Sequence, residues 1–130
     1  MKLPRMVFAF TLLAILFSVG TVPAQAAAKP TTIKGYVIDS SCTFTKDLKK
    51  PISSDCAVAC AKAGSPLVIQ SATGVIYLPI SGDQPAGGQN DKLMPFAGKL
   101  VSVTGTVYMR GGAHAIAISD IHEANAPADK

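Results

Sequence analysis

The chain has 130 residues, of which 48% are hydrophobic and 15% are charged, and it contains no tryptophan. Once an apolar leader is set aside, about 104 residues are left to fold, which is enough for one small domain and too few for most large enzyme folds. The formal net charge of +4 falls to +2 without the leader residues Lys2 and Arg5, and this small charge argues against a protein that mainly holds polyanions.

Residues 1–26 have the parts of a cleavable secretion signal. The two basic residues named above are followed by an apolar run at residues 6–20 and by the small-x-small sequence Ala-Gln-Ala at residues 24–26. The apolar run is shorter than the roughly 20 residues that span a bilayer. We therefore predict a signal peptide that is cut after Ala26. The mature protein is expected in a bacterial periplasm or outside the cell, and not in the membrane.

The first element predicted in the mature chain is a strand at residues 31–39, which are rich in β-branched side chains. Residues 40–51 are polar, carry several lysines and end in Pro51. Because proline interrupts a helix, we expect this stretch to be a loop.

The pattern changes at Ser54, where the sequence SDCAVACAKAG contains four alanines. Ser53 or Ser54 can cap a helix here and Gly64 can end it, so the sequence predicts a helix of about two to three turns. Two apolar runs then follow on either side of turn residues 72–74. They predict a β-hairpin within residues 66–80.

The second half of the chain predicts a glycine-rich loop, a short helical turn and a final hairpin. The loop covers residues 81–89, and Asn90 can cap a turn of helix after it. Residues 99–109 alternate between apolar and polar side chains and predict a strand, in which Gly105 suits a bulge. Residues 113–121 predict the returning strand.

Five short strands joined by turns predict a mainly β fold. A helical element between strands 3 and 4 is the layout of the five-stranded Greek-key barrel known as the OB-fold. We expect an OB-like barrel at residues 27–122, with the cysteine-bearing helix inserted after strand 1, and a flexible tail at residues 123–130.

Three stretches resemble a group of small secreted bacterial OB-fold-like proteins. They are residues 35–42 (GYVIDSSC), 55–67 (DCAVACAKAGSPL) and 97–107 (AGKLVSVTGTV). In that group an Asp-x-x-Cys follows the first strand, and a Cys-Ala-x-x-Cys helix comes next. Members often carry histidine just before the helical cysteines, where this chain has Ser-Ser-Asp at residues 53–55. The resemblance implies the barrel architecture and no particular activity.

Asp39, Cys42, Cys56 and Cys60 form the cluster best suited to chemistry. Cys56 and Cys60 are four residues apart, so on a helix their Cβ atoms lie about 5–6 Å apart. A disulfide needs about 3.5–4.5 Å, and these two are not expected to bond each other. Export favours a disulfide, so we expect Cys42 to pair with Cys56 or with Cys60. Such a bond would close a loop of about 15–19 residues and stabilise the fold by roughly 3 kcal/mol.

Soft-metal binding is the first alternative use of the three cysteines. Three thiolates suit a trigonal Cu(I) site, or a Zn site if Asp39, His114 or His122 supplies a fourth ligand. The two histidines lie about 27 Å apart on one straight strand, so they cannot share one metal ion.

Thiol redox chemistry is the second alternative. Cys56 lies near the N-terminus of the predicted helix, where a nucleophilic thiolate is favoured, and Cys42 or Cys60 could resolve a mixed disulfide. The neighbouring Asp55 opposes this, and the chain has no Cys-x-x-Cys motif.

A ligand face is a separate candidate site. Tyr36, Tyr77 and Tyr108 lie on three different predicted strands, with Arg110 nearby, and OB-folds bind ligands on the sheet. Export and the low charge argue against nucleic acid. No catalytic Ser/His/Asp order or phosphate loop is evident. Our leading interpretation is a non-enzymatic exported module, stapled by a disulfide and without a cofactor, that binds a ligand or protein of the cell envelope.

Overall fold

The computed structural model describes residues 29–46 and 53–125. The predicted signal peptide lies outside these ranges, as does most of the predicted C-terminal tail. In chain order the elements are β1 (Thr31–Asp39), α1 (Ser40–Thr45), α2 (Ser54–Lys62), β2 (Leu67–Ser71), β3 (Ile76–Ile80), α3 (Asn90–Leu93), a 3-10 turn (Met94–Phe96), β4 (Leu100–Arg110) and β5 (Ala113–Glu123). In the part of the chain that the structure describes, no helix has the length and apolarity needed to cross a membrane.

The five strands form a closed barrel with the strand order β1-β2-β3-β5-β4. Strand β1 pairs antiparallel with both β2 and β4, so that Val37 lies opposite Ile69 and Gly35 lies opposite Val101. The parallel pairing of β3 with β5 completes the ring. This arrangement confirms the predicted five-stranded OB-like barrel, with a cysteine-bearing helix after β1 and a short helical segment between β3 and β4.

Two glycines allow the long strands to bend around this small barrel. A Cβ atom at Gly35 would lie 2.5 Å from the carbonyl oxygen of Gln70, and one at Gly105 would lie 2.3 Å from that of Ala117. The pairing of β4 with β5 also shifts register between Thr104 and Gly105. The bulge predicted at Gly105 is therefore confirmed, and only glycine permits the close approach of the neighbouring backbone.

The core fills the barrel and continues beneath α2 and α3. Alternate residues of the strands point inward, as the period of two requires, and the small side chain of Ala57 lets α2 pack closely on the same cluster. The residues of this cluster that are fully shielded from solvent are Val37, Ala57, Ile69, Leu93, Ala97, Val101, Val103 and Ile116.

The prediction of a loop at residues 40–51 is wrong for residues 40–45, which form helix α1. The Asp39 side chain accepts the backbone N–H of Cys42 at 2.9 Å, and the Thr43 hydroxyl donates to the Asp39 carbonyl at 2.7 Å. The first bond supplies the acceptor that a backbone N–H lacks in the first turn of a helix, and the second ties the Thr43 side chain to the end of β1. Pro51, which argued for a loop, lies outside the described residues.

Strand β5 continues two residues beyond its predicted end at Ile121. Glu123 closes the strand, and its carboxylate forms an ion pair with Lys99. The N–H of Ala124 then donates to the Leu100 carbonyl at 2.9 Å. Glu123, the first residue of the predicted tail, therefore belongs to β5, and residues 126–130 lie outside the described part.

Candidate metal centre

The structure brings the three cysteines together between two helices. Cys42 lies on α1, and Cys56 and Cys60 lie on α2. Their three Sγ atoms all lie within 4.8 Å of one another. All three are free thiols, and no pair is joined by a disulfide. The predicted grouping of the three sulfurs is present in the fold, whereas the predicted disulfide from Cys42 to Cys56 or Cys60 is not formed in this structure.

The sequence of α2 explains where its two cysteines lie. The side chain of Ser53 caps the helix by accepting the N–H of Cys56 at 3.3 Å. Ala57 and Ala61 are buried against the barrel, and each comes directly after one of the two cysteines in the sequence. Cys56 and Cys60 therefore lie side by side at the edge of this contact, and both are half-buried.

Ser65 holds the end of α2 against the start of α1. Its N–H donates to the Cys60 carbonyl at 3.0 Å, and its hydroxyl lies 3.4 Å from that of Ser40. The N–H of Ser40 donates to the Pro66 carbonyl at 2.8 Å. These contacts bring together two helices that are separated in the sequence.

A buried carboxylate stands beside the cluster. Asp39 is fully buried; its Oδ1 accepts the N–H of Cys42, and its Oδ2 has no hydrogen-bond partner. An unpartnered carboxylate oxygen is costly in a protein interior. Asp39 is therefore the polar group of this region that would gain most from a nearby cation.

Asp39 also raises the pKa of the nearby thiols, so that they keep their protons. Hydrogen bonding to its carboxylate, followed by burial, raises the pKa of Cys42 to about 11. Burial is the largest cause that raises the pKa of Cys60, and the negative charge of Asp39 adds to it. At neutral pH these two thiols are protonated, so a metal ion must displace their protons in order to bind.

The spacing of the sulfurs suits one shared metal ion. Metal–sulfur bonds of about 2.3 Å place the sulfurs of a trigonal or tetrahedral site about 3.8–4.0 Å apart. The observed spacing of no more than 4.8 Å therefore needs a contraction of about 1 Å or less to reach that geometry. A disulfide needs a much closer approach, to about 2.05 Å.

The predicted histidine ligands lie elsewhere. His114 packs against Tyr77, with ring centroids 5.6 Å apart. His122 lies 3.1 Å from the carboxylate of Asp120 on the exposed end of β5. The structure does not bring either histidine into the thiol cluster, and Asp39 lies beside Cys42 rather than among all three sulfurs.

The predicted tyrosine face is not a single surface. Tyr77 packs against the barrel core, whereas Tyr108 is 49% exposed on the outside of β4. Tyr36 lies on β1, between Gln70 of β2 and Leu100 of β4. Arg110 is exposed at the end of β4.

The surface carries an apolar groove that the sequence does not indicate. It has a volume of about 630 Å³ and runs between α1 and the outer side of β3, with Phe44, Val68, Ile76, Leu78 and His114 among its lining residues. Phe44 is 75% exposed and Leu78 is 46% exposed. The sequence predicts a loop at residues 40–51, and a loop does not define the position of the Phe44 side chain. The position of Phe44 therefore could not be predicted without helix α1.

Fold and site together define a small five-stranded barrel that carries a cluster of three thiols between two short helices. No protein-family model matches this chain, and no curated protein or solved structure matches it significantly.

Proposed function

We propose that the protein binds one soft metal ion through the thiolates of Cys42, Cys56 and Cys60. The proposal is carried by one observation, the three Sγ atoms that lie within 4.8 Å of one another. Thiolates are the ligands that soft ions select. The barrel supports both helices, so the ligands are held close before the ion arrives, and less order must be imposed on binding.

Cu(I) is the ion that this ligand set suits best. A Cu(I) ion is satisfied by three thiolates in a trigonal site, whereas Zn(II) takes four ligands. Among the described residues, the metal-ligand cluster contains three cysteines and no histidine or carboxylate.

Zn(II) is the second candidate, because Asp39 supports it. The Oδ2 atom of this buried carboxylate has no hydrogen-bond partner and can act as an oxygen ligand. The other oxygen of the same carboxylate accepts the N–H of Cys42. A small movement of Asp39, or a water molecule, would complete a four-coordinate site. The charge of Zn(II) would also offset more of the negative charge of three thiolates and a carboxylate.

The proposed role is non-enzymatic metal handling by an exported barrel. The predicted signal peptide would carry the site to the periplasm or outside the cell, where a soft ion would be held or passed to a partner. The competing proposal is the disulfide-stapled module that binds an envelope ligand. It leaves one unpaired thiol and needs no metal.

Metal titration of the full chain, reduced and kept free of oxygen, tests these proposals. Cu(I) is added in competition with a Cu(I)-specific chelator, and Zn(II) in competition with a zinc dye. We expect one ion per chain, with all three thiols protected from alkylation. Each Cys→Ser variant should lose this stoichiometric binding. Ala59→Ser, on the exposed side of α2, is the matched control and should bind as the wild type does.

Two results would contradict metal binding. One is a reduced protein whose three thiols react with an alkylating agent equally fast with and without metal. The other is a protein, purified without reductant, that carries one disulfide and no metal and that takes up neither Cu(I) nor Zn(II) after reduction. The second result would support the stapled module instead.

A further inference from the structure

The cluster offers three pairs of sulfurs for oxidation, and they are not equivalent. Cys56 and Cys60 belong to one regular helix, α2 (Ser54–Lys62). Their Cβ spacing of about 5–6 Å on a helix exceeds the roughly 3.5–4.5 Å of a disulfide. A bond between them would distort α2. Cys42, on the separate helix α1, is therefore a member of any disulfide that leaves the helices intact.

The packing of the two helices permits this approach. Helix α1 packs on β1 and β2, whereas α2 packs on β1 and the 3-10 turn. The sulfurs meet between these two contacts. Drawing Cys42 toward α2 therefore requires a shift of one six-residue helix and leaves the pairing of the barrel strands unchanged.

Position on α2 distinguishes its two cysteines. Cys56 lies in the first turn, whose cap is the exposed 3.3 Å bond from its N–H to the Ser53 side chain. Cys60 lies in the last turn, which is held by the bond from the Ser65 N–H to the Cys60 carbonyl and by the Asn90 side chain, which donates to the Ala61 carbonyl at 3.3 Å. The end of α2 that carries Cys56 is therefore freer to move toward Cys42. Cys56 is also half-buried whereas Cys42 is buried, so an external disulfide reaches Cys56 first.

We infer that the thiol cluster is a redox-gated metal site, in which oxidation by a small-molecule disulfide joins Cys42 to Cys56 and releases the metal ion. This inference rests on the proposed metal-binding function. Metal binding needs three free thiolates, and a Cys42–Cys56 bond leaves only Cys60. Metal and disulfide therefore exclude each other, so bound metal must protect the thiols to the same extent that oxidation weakens metal binding.

The chemistry is ordinary thiol–disulfide exchange with oxidised glutathione as the oxidant. The Cys56 sulfur attacks one glutathione sulfur, the glutathione S–S bond breaks, and one glutathione thiolate leaves. The Cys42 sulfur then attacks the sulfur of Cys56 in the mixed disulfide and expels the second glutathione. The protein loses two electrons and two protons, and both are recovered in two molecules of reduced glutathione.

The test compares the full chain in three states: reduced and metal-free, reduced and loaded with Cu(I), and treated with oxidised glutathione. Intact mass and peptide mapping locate the disulfide, and a chelating dye reports released Cu(I). We expect the metal-free protein to form the Cys42–Cys56 bond and then to lose stoichiometric Cu(I) binding. The loaded protein should oxidise more slowly than the metal-free protein and release its Cu(I) as the bond forms.

Variants make the pairing specific. Cys60→Ser should still form the Cys42–Cys56 bond, whereas Cys56→Ser should accumulate no such bond, and Ala59→Ser should behave as the wild type. A bond within α2, a Cys42–Cys60 bond, or a lasting mixed disulfide would overturn the inference. So would an oxidised protein that keeps its Cu(I).

The same experiment separates this inference from the proposed function. If the reduced protein binds neither Cu(I) nor Zn(II), the metal-binding proposal fails, and the gating inference fails with it. If the reduced and oxidised proteins bind Cu(I) equally well, only the gating inference fails.

Discussion

The carboxylate of Asp39 accepts the backbone N–H of Cys42 at 2.9 Å. Asp39 is the last residue of β1, so the barrel strand ends in the group that caps the next helix. Because Asp39 is fully buried, this cap is shielded from water, and the position of Cys42 depends on it. The side chain of Asp39 therefore fixes the position of Cys42 relative to the end of β1.

Replacing Asp39 separates its role as a cap from its role as a charge. Asp39→Asn keeps an oxygen that can accept the N–H of Cys42, whereas Asp39→Ala removes it. We expect Asp39→Ala to be less stable than Asp39→Asn by about 1 kcal/mol, the usual value of a helix cap. Urea unfolding under reducing conditions measures this difference.

Ser53→Ala is the control for that comparison. Ser53 also caps a helix through Cys56, but its bond is longer, at 3.3 Å, and exposed. Its loss should cost less than the difference between the two Asp39 variants. Equal stabilities of Asp39→Ala and Asp39→Asn would show that the cap contributes nothing.

Stability should fall as the pH rises through the alkaline range. The pKa of Cys42 is raised from 9.0 to about 11 in the folded protein, so the folded state keeps a proton that the unfolded state loses. The stabilisation is complete below pH 9 and is lost as the pH approaches 11. The raised pKa of Cys60 acts in the same direction.

Urea unfolding at several pH values between 8 and 11, under reductant, checks this prediction. Cys42→Ala should lose less stability than the wild type over this range, because its contribution to the proton difference is gone. Asp39→Asn should also show a weaker dependence, since it removes the main cause of the raised pKa. Parallel curves for the wild type and Cys42→Ala would contradict the assignment.

The barrel strands could be predicted because their signals are local. Strand β1 was predicted at residues 31–39 and occupies those residues, and the bulge at Gly105 follows from a glycine within an alternating run. Helix α1 has neither alternation nor strong helix formers. It depends on the side-chain bonds of Asp39 and Thr43, which a pattern of hydrophobic residues does not reveal.

The candidate site was predictable in its thiols and not in its surroundings. The spacing of Cys56 and Cys60 places them on one helix face. Cys42 comes close to them because it lies on α1, the element that precedes α2 in the chain. The inward position of Tyr77 could not be predicted because both faces of β3 are apolar. Alternation there does not show which side is inside, and the structure turns Tyr77 inward and leaves Leu78 outside.

Closure of the barrel should be sensitive to a single methyl group at Gly105. In Gly105→Ala the new Cβ would lie 2.3 Å from the carbonyl oxygen of Ala117, so the pairing of β4 with β5 must shift. We expect a loss of about 1–3 kcal/mol in the free energy of unfolding. Gly87→Ala, where a Cβ meets nothing within 4 Å, should leave it unchanged. A Gly105→Ala variant as stable as Gly87→Ala would mean that the bulge tolerates a side chain.

Asn90 should support both the fold and the thiol cluster, because its side chain joins three elements. Its Oδ1 accepts the N–H of Leu67 at 2.8 Å, and its Nδ2 donates to the carbonyls of Ser65 at 2.9 Å and Ala61 at 3.3 Å. Ala61 and Ser65 flank the end of α2 that carries Cys60. Asn90→Ala leaves these partly buried groups without their partner, and we expect a loss of about 2–3 kcal/mol.

The exposed Lys92 of the same short helix α3 gives the matched control, since Lys92→Ala should change stability little. Under the metal-binding proposal, Asn90→Ala should also bind Cu(I) more weakly at a temperature where it is still folded, because the end of α2 is then less firmly held. Cu(I) competition titrations on both variants measure this effect. Unchanged Cu(I) affinity in a destabilised Asn90→Ala protein would show that Asn90 stabilises the barrel without positioning Cys60.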